Sequence, residues 1–166
     1  MTYFLVLLLA LLLGVVAGLR ALTAPAVVAW AGALGWINLD DTWAQWVAHP
    51  ITVTVLTILA LGELVTDQLP KTPSRRVPQQ FGARLFTGAF SGAVLASGAV
   101  LSPTAWVVVG AIGAALIGAV IGTLGGAEAR QRLVAGNGGH DLPVALVEDA
   151  IAIVGGFAIV ALASVV

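Results

Sequence analysis

Long apolar runs, interrupted by a few short clusters of charge, make up almost the whole chain. Of its 166 residues, 60% are hydrophobic and only 9% are charged. Soluble domains carry about 25% charged residues, so a chain of this composition has too little polar surface to cover its apolar residues in water. We therefore expect an integral membrane protein in which runs of about 20 apolar residues cross the bilayer as helices.

Proline and turn residues divide the apolar runs into six predicted helices. The first 36 residues are too long for one crossing, and Arg20 and Pro25 mark a break because proline disfavours helix in the residue before it. No Lys or Arg precedes the first apolar stretch, so we interpret it as a retained helix and not as a signal peptide. The predicted helices are 3–18, 22–36, 51–69, 82–101, 104–126 and 143 to the C-terminus.

The predicted fold is an all-α integral membrane protein, a compact bundle of about six short transmembrane helices. It forms a single domain over residues 1–166. Six helices also suit a three-plus-three inverted repeat, which is common in transporters. The two short internal matches, 18–23 with 82–87 and 32–35 with 110–113, have different offsets and leave the repeat open.

The distribution of Lys and Arg predicts the orientation in the cytoplasmic membrane. The 70–81 and 127–141 loops are rich in Lys and Arg, whereas the 37–50 loop contains only acidic charges. Positively charged loops stay in the cytoplasm, so the first two loops are predicted to be cytoplasmic. The tryptophans at the predicted outer interface agree with this orientation: Trp36, Trp43, Trp46 and Trp106.

Ionisable residues within the predicted helices form a candidate polar cluster at the cytoplasmic leaflet. A charge at this depth is costly unless it is paired or hydrated, so each such residue is a functional candidate. The cluster would bind an ion, a proton or a lipid headgroup, or it would consist of structural ion pairs. Its members are Arg20, Glu63, Asp67, Arg84, Glu148 and Asp149.

Four carboxylates face two arginines in this cluster, which leaves two negative charges to explain. Three explanations remain open. Lys71, Arg75 or Arg76 could fold back from the loop, a carboxylate could be protonated because burial and like charge raise its pKa, or a cation such as magnesium or sodium could bind. The same three basic residues, with the loop hydroxyls, also suit phosphate or anionic lipid headgroups, although an ordinary positive-inside anchor would look similar.

Small residues recur every four positions along the fifth predicted helix. Such a stripe lets helices approach closely in lipid. It would serve packing inside one bundle, the contact of a homo-oligomer, or a smooth path for a lipid tail or solute. The stripe consists of Gly110, Ala114, Gly118, Gly122 and Gly126.

Several functional classes lack support in the sequence. A net charge of −1 gives no basis for nucleic-acid binding, and the absence of cysteine excludes disulfides and thiolate metal sites. No catalytic triad, Walker loop, zinc motif or dinucleotide fingerprint is present.

Four stretches together carry a family resemblance: 18–23 (GLRALT), 63–75 (ELVTDQLPKTPSR), 126–130 (GAEAR) and 148–152 (EDAIA). With them the chain resembles a family of small bacterial multi-pass membrane proteins filed as a domain of unknown function. The resemblance covers nearly the whole chain and is most specific at 63–75. It implies a full-length membrane domain and supplies neither a substrate nor catalytic residues.

These observations favour a small transporter, channel or lipid-handling membrane protein whose polar cluster binds its ligand. The first alternative is an intramembrane enzyme acting on a lipid phosphate, with a divalent metal on the carboxylates and the phosphate on the basic loop. The second is a structural or interaction protein that uses the small-residue stripe. Because no enzyme signature is present, an enzyme is the less favoured reading.

Overall fold

The structure is a computed structural model that describes residues 2–68, 75–100 and 104–165. It is all-helical, with six α-helices and no strand in these ranges. The helices are α1 Tyr3–Leu19, α2 Thr23–Ala33, α3 Pro50–Thr66, α4 Pro78–Ala99, α5 Ala105–Gly136 and α6 Asp141–Val165, and a short 3-10 helix, Gln45–Ala48, precedes α3.

Local sequence signals explain most of the helix boundaries. Arg20 has an extended backbone conformation and separates α1 from α2, as the sequence predicts. Pro50 and Pro78 occupy the first turns of α3 and α4, where the missing proline N–H costs nothing. For this reason α4 begins four residues earlier than its predicted start at 82.

Three sequence predictions of helix length are wrong. Helix α3 ends at Thr66 and not at 69, since residues 67 and 68 form a turn. Helix α2 ends at Ala33 and not at 36, because Gly35 turns the chain with a φ of +72°. The predicted 127–141 loop is largely helical, since α5 continues to Gly136. Its charged residues are good helix formers, and Glu128 and Arg132 pair one turn apart at 2.8 Å.

Helix α1 lies at the centre of the bundle and packs against α5, α4, α6 and α2. The small-residue stripe of α5 faces α1: a Cβ atom on Gly118 or Gly122 would overlap the carbonyl oxygens of Leu11 or Val15. The stripe therefore serves a close approach of two helices within one chain. The predicted homo-oligomer stays a prediction.

Helix α3 is peripheral and packs against α2 and the 3-10 helix. Of its 17 residues, all of which the structure describes, only Val53 is buried. Helix α3 is therefore held on the bundle mainly through α2 and through the polar contacts of its C-terminal end.

Two helices, α5 and α6, are long and apolar enough to cross a membrane. Helices α1, α2 and α3 are apolar but shorter. A three-plus-three repeat would equate helices of 17 and 22, 11 and 32, and 17 and 25 residues. These lengths do not match, and the repeat stays a prediction.

Candidate functional site

Two charged side chains satisfy the backbone groups at the break between α1 and α2. Arg84 of α4 donates from Nη1 to the carbonyl oxygens of residues 18 and 19, at 3.0 and 2.7 Å. Glu63 of α3 accepts two hydrogen bonds of 2.7 Å from the amides of residues 21 and 22. Helix ends leave these groups without intrahelical partners, and the two charges complement the helix dipoles. Arg84 and Glu63 therefore stabilise the break.

A second set of ion pairs surrounds Arg20, whose side chain is 0% exposed. Arg20 contacts Asp67, donates from Nε to Asp149 Oδ1 at 2.5 Å, and lies 3.8 Å from Glu148. Arg75 pairs with Glu148 through both terminal nitrogens, with 2.8 Å between Nη2 and Oε2. Buried charges are costly unless they are paired in this way.

Arg130 of α5 also belongs to this set of ion pairs. Its Nη1 lies 3.3 Å from Asp67 Oδ2 and 3.4 Å from Glu148 Oε2. Its other nitrogens donate to both carboxylate oxygens of Asp141, at 2.8 and 2.7 Å. Gln68 also enters and donates to Asp149 Oδ2 at 3.3 Å. Residues from four helices, the α1–α2 break and the 75–77 segment thus meet at one end of the bundle.

Together these side chains form a charge network of Arg20, Arg75, Arg84, Arg130, Glu63, Asp67, Glu148 and Asp149. The formal charges of these four guanidinium and four carboxylate groups cancel, and Asp141, which pairs with Arg130 at the exposed edge, adds one further carboxylate. Of the three explanations that the sequence left open, this geometry matches a basic loop residue that folds back, since Arg75 is only 7% exposed.

The arginines supply the countercharge that a bound magnesium or sodium ion would otherwise provide. Within the described ranges, no group of three or more His, Asp or Glu side chains is arranged to hold a metal ion. The cation itself stays a prediction.

Sequence reasoning missed Arg130 and Gln68. It placed Arg130 in a cytoplasmic loop, whereas the longer α5 carries this residue to the network. A signal was present, because Arg130 belongs to the 126–130 stretch of the family resemblance. Gln68 had no distinguishing signal.

The three basic residues proposed to bind phosphate or lipid headgroups, Lys71, Arg75 and Arg76, differ in their surroundings. Arg75 is buried in the charge network, whereas the Arg76 side chain is 51% exposed and lies 3.6 Å from Glu128. Lys71 lies outside the described residues. Headgroup binding by Arg76 and Lys71 stays a prediction.

Arg130 and Asp141 lie beyond the uncharged stretch of α5, at the edge of the charge network. The hydrogen bonds that Arg130 donates lower the pKa of Asp141 and outweigh partial burial, which acts in the opposite direction. The same hydrogen bonding raises the pKa of Arg130. Both groups are therefore charged at neutral pH.

A pocket of about 320 Å³ lies beside the charge network, between the C-terminal end of α3 and the first half of α4. Thr66 and Ala83 line it and are exposed, so the pocket is open at the surface between the two helices. We call it the α3–α4 pocket. Its polar lining consists of Glu63, Thr66, Asp67, Gln80, Arg84 and Thr87.

The family model described as a domain of unknown function (DUF4126) matches residues 7–166. The chain therefore belongs to this family, which confirms the resemblance to a family of unknown function. No curated protein and no solved structure matches the chain.

Proposed function

We propose that this DUF4126 protein is a multi-pass integral membrane protein that handles a phospholipid at its cytoplasmic side. Its outer surface supports the membrane placement, since large apolar side chains are exposed on several helices. They include Phe4 at 74%, Ile51 at 68%, Phe86 at 73%, Trp106 at 81% and Val154 at 68%. Exposed apolar area on this scale is unusual for a soluble monomer and suits lipid contact.

The charges support one orientation in the membrane. The charge network, together with Arg76 and Arg132, lies at the end of the bundle where α1, α3 and α5 end. The opposite end includes Asp40 and Asp41 and the half-exposed Trp43. By the positive-inside rule the network end is cytoplasmic, and tryptophan suits the outer interface.

The α3–α4 pocket is the observation that carries the proposal. Its polar lining lies at the network end, and the same two helix faces become apolar further from that end. Leu59 lies one turn before Glu63 on α3, and Phe90 lies one turn beyond Thr87 on α4. A polar pocket that continues into an apolar face suits an amphiphile with its headgroup in the pocket.

Movement of a fluorescent phospholipid between leaflets tests this function. The protein is reconstituted into liposomes with a trace of nitrobenzoxadiazole-labelled phospholipid, and dithionite bleaches the outer leaflet. We expect bleaching of inner-leaflet lipid to be faster than in protein-free liposomes. Ala83→Trp, which fills the pocket, should return the rate to the protein-free value.

Gly82→Trp is the matched control. A Cβ atom at Gly82 would meet no atom within 4 Å, and Gly82 does not line the pocket. This variant should keep the wild-type rate. A wild-type rate equal to that of protein-free liposomes, or equal rates for the two tryptophan variants, would contradict the proposal.

The two alternative functions have less support from the geometry. The carboxylates assigned to a catalytic metal instead accept hydrogen bonds from arginines or from the backbone of the α1–α2 turn. The small-residue stripe assigned to a protein partner packs against α1.

A further inference from the structure

Arg84 lines the α3–α4 pocket with a guanidinium group that is only partly hydrogen-bonded. Its Nη1 is occupied by two backbone carbonyls, whereas its Nε is buried and has no hydrogen-bond partner among the described residues. The whole side chain is 2% exposed. An unpaired buried donor costs about 1–3 kcal/mol, and a ligand oxygen that hydrogen-bonds to the guanidinium group would offset part of that cost.

Asp67 offers an acceptor to the same pocket. The nearest contacts of Arg20, Arg75 and Arg130 with Asp67 are all to Oδ2. Its second oxygen, Oδ1, is therefore the one that can accept from a ligand. Both oxygens of Glu63 already accept backbone amides, so Glu63 contributes charge and not a free acceptor.

This lining selects against simple ions. A bare anion would satisfy Arg84 but would lie next to two carboxylates, whereas a bare cation would leave the buried Nε unpaired. Because the charge network is formally neutral, a ligand with no net charge fits best. The pocket lining is therefore complementary to a zwitterion that carries an anionic oxygen and an ammonium N–H within one small group.

We infer that the α3–α4 pocket binds a primary-ammonium zwitterion, specifically the ethanolamine phosphodiester headgroup of a phospholipid. The phosphate oxygen accepts from the Arg84 guanidinium group, and the ammonium group donates to Asp67 Oδ1. The volume of about 320 Å³ is at the small end of ligand pockets, which suits a headgroup. Leu59, which continues the α3 face and is 47% exposed, favours a ligand attached to acyl chains over a free one. This inference deepens the proposed function and rests on it for the membrane placement.

Native mass spectrometry of the purified protein measures which lipid it retains. The probes are phospholipids with the same acyl chains and an ethanolamine, choline or glycerol headgroup. Choline has no N–H donor, and glycerol has no cation. We expect retention of the ethanolamine lipid to exceed that of the other two by about tenfold, the effect of one hydrogen bond to a charged group. Equal retention of all three would overturn the inference.

Two tryptophan variants locate the binding. Ala83→Trp fills the pocket from α4 and Thr66→Trp fills it from α3, so either variant, if folded by circular dichroism, should lose the preference. Gly82→Trp should keep it. A preference that survives both pocket variants would overturn the inference.

Soluble O-phosphoethanolamine separates the headgroup from the lipid. We expect it to compete only weakly with the ethanolamine lipid. Stronger binding of the soluble compound than of the lipid would overturn the lipid assignment. Selective ethanolamine-lipid binding without leaflet exchange would contradict the proposed function alone, and exchange that ignores the headgroup would contradict this inference alone.

Discussion

The neighbouring residues Arg75 and Arg76 provide a stringent test of the charge network. Both belong to the same basic segment, yet the Arg75 side chain is 8% exposed and the Arg76 side chain is 51% exposed. Arg75 pairs with Glu148 through two nitrogens, and its Nη2 lies 3.4 Å from Asp67. Arg76 lies 3.6 Å from Glu128 at the surface. The same substitution, Arg→Gln, should therefore have very different effects at the two positions.

The expected magnitude follows from what remains around Glu148. Removing one partner of a buried ion pair costs about 3–5 kcal/mol because a charge is left uncompensated. Arg130 and Arg20 still lie 3.4 and 3.8 Å from Glu148, so Arg75→Gln should fall at the lower end, about 3 kcal/mol. Exposed pairs contribute about 0.2–1 kcal/mol, which sets the expected loss for Arg76→Gln.

Reversible unfolding in mixed detergent micelles, followed by tryptophan fluorescence, measures the free energy of unfolding of each variant. A double variant, Arg75→Gln with Glu148→Gln, removes both charges and should recover part of the loss, so the coupling energy appears in a double-mutant cycle. Equal losses for Arg75→Gln and Arg76→Gln, or an additive double variant, would refute the reasoning.

Three further predictions concern packing, the helix break and pH. Gly118→Ala should lower the free energy of unfolding, because the added Cβ atom overlaps α1. Gly113→Ala, whose Cβ atom meets no atom within 4 Å, should raise it by about 1 kcal/mol through helix propensity. Unfolding in micelles measures both variants, and equal effects would contradict the close approach of α5 to α1. Glu63→Gln leaves one of two amides ahead of α2 without its acceptor and should cost about 1–3 kcal/mol; an unchanged unfolding midpoint would contradict the capping role. Folding lowers the pKa of Asp141, so its pair with Arg130 stabilises the protein above the ordinary pKa of 3.8, and this stability is lost as pH falls through the lower folded value. The loss of unfolding free energy in Asp141→Asn should therefore be constant near neutral pH and vanish on acidification. A loss that does not depend on pH would contradict this.

Local sequence patterns determined the helical class and most helix starts and breaks. Apolar runs of helix length, prolines in first turns and the break at Arg20 depend on residues close together in the chain, and the six α-helices agree with them. The apolar run that predicts α5 ends at 126, whereas the helix continues to Gly136 because the charged residues that follow are good helix formers. Composition alone could not show that these residues continue an apolar helix.

The partners of the charges were decided only by the tertiary structure. Arg20 meets Asp149, a residue 129 positions away, and Arg75 rather than Arg76 turns inward to Glu148. No spacing rule links such residues, because their contact depends on how the ends of α1, α3 and α5 pack beside the starts of α2, α4 and α6. The sequence showed that buried charges must be balanced, and the packing of α1 against α5 and α6 determined which arginines balance them.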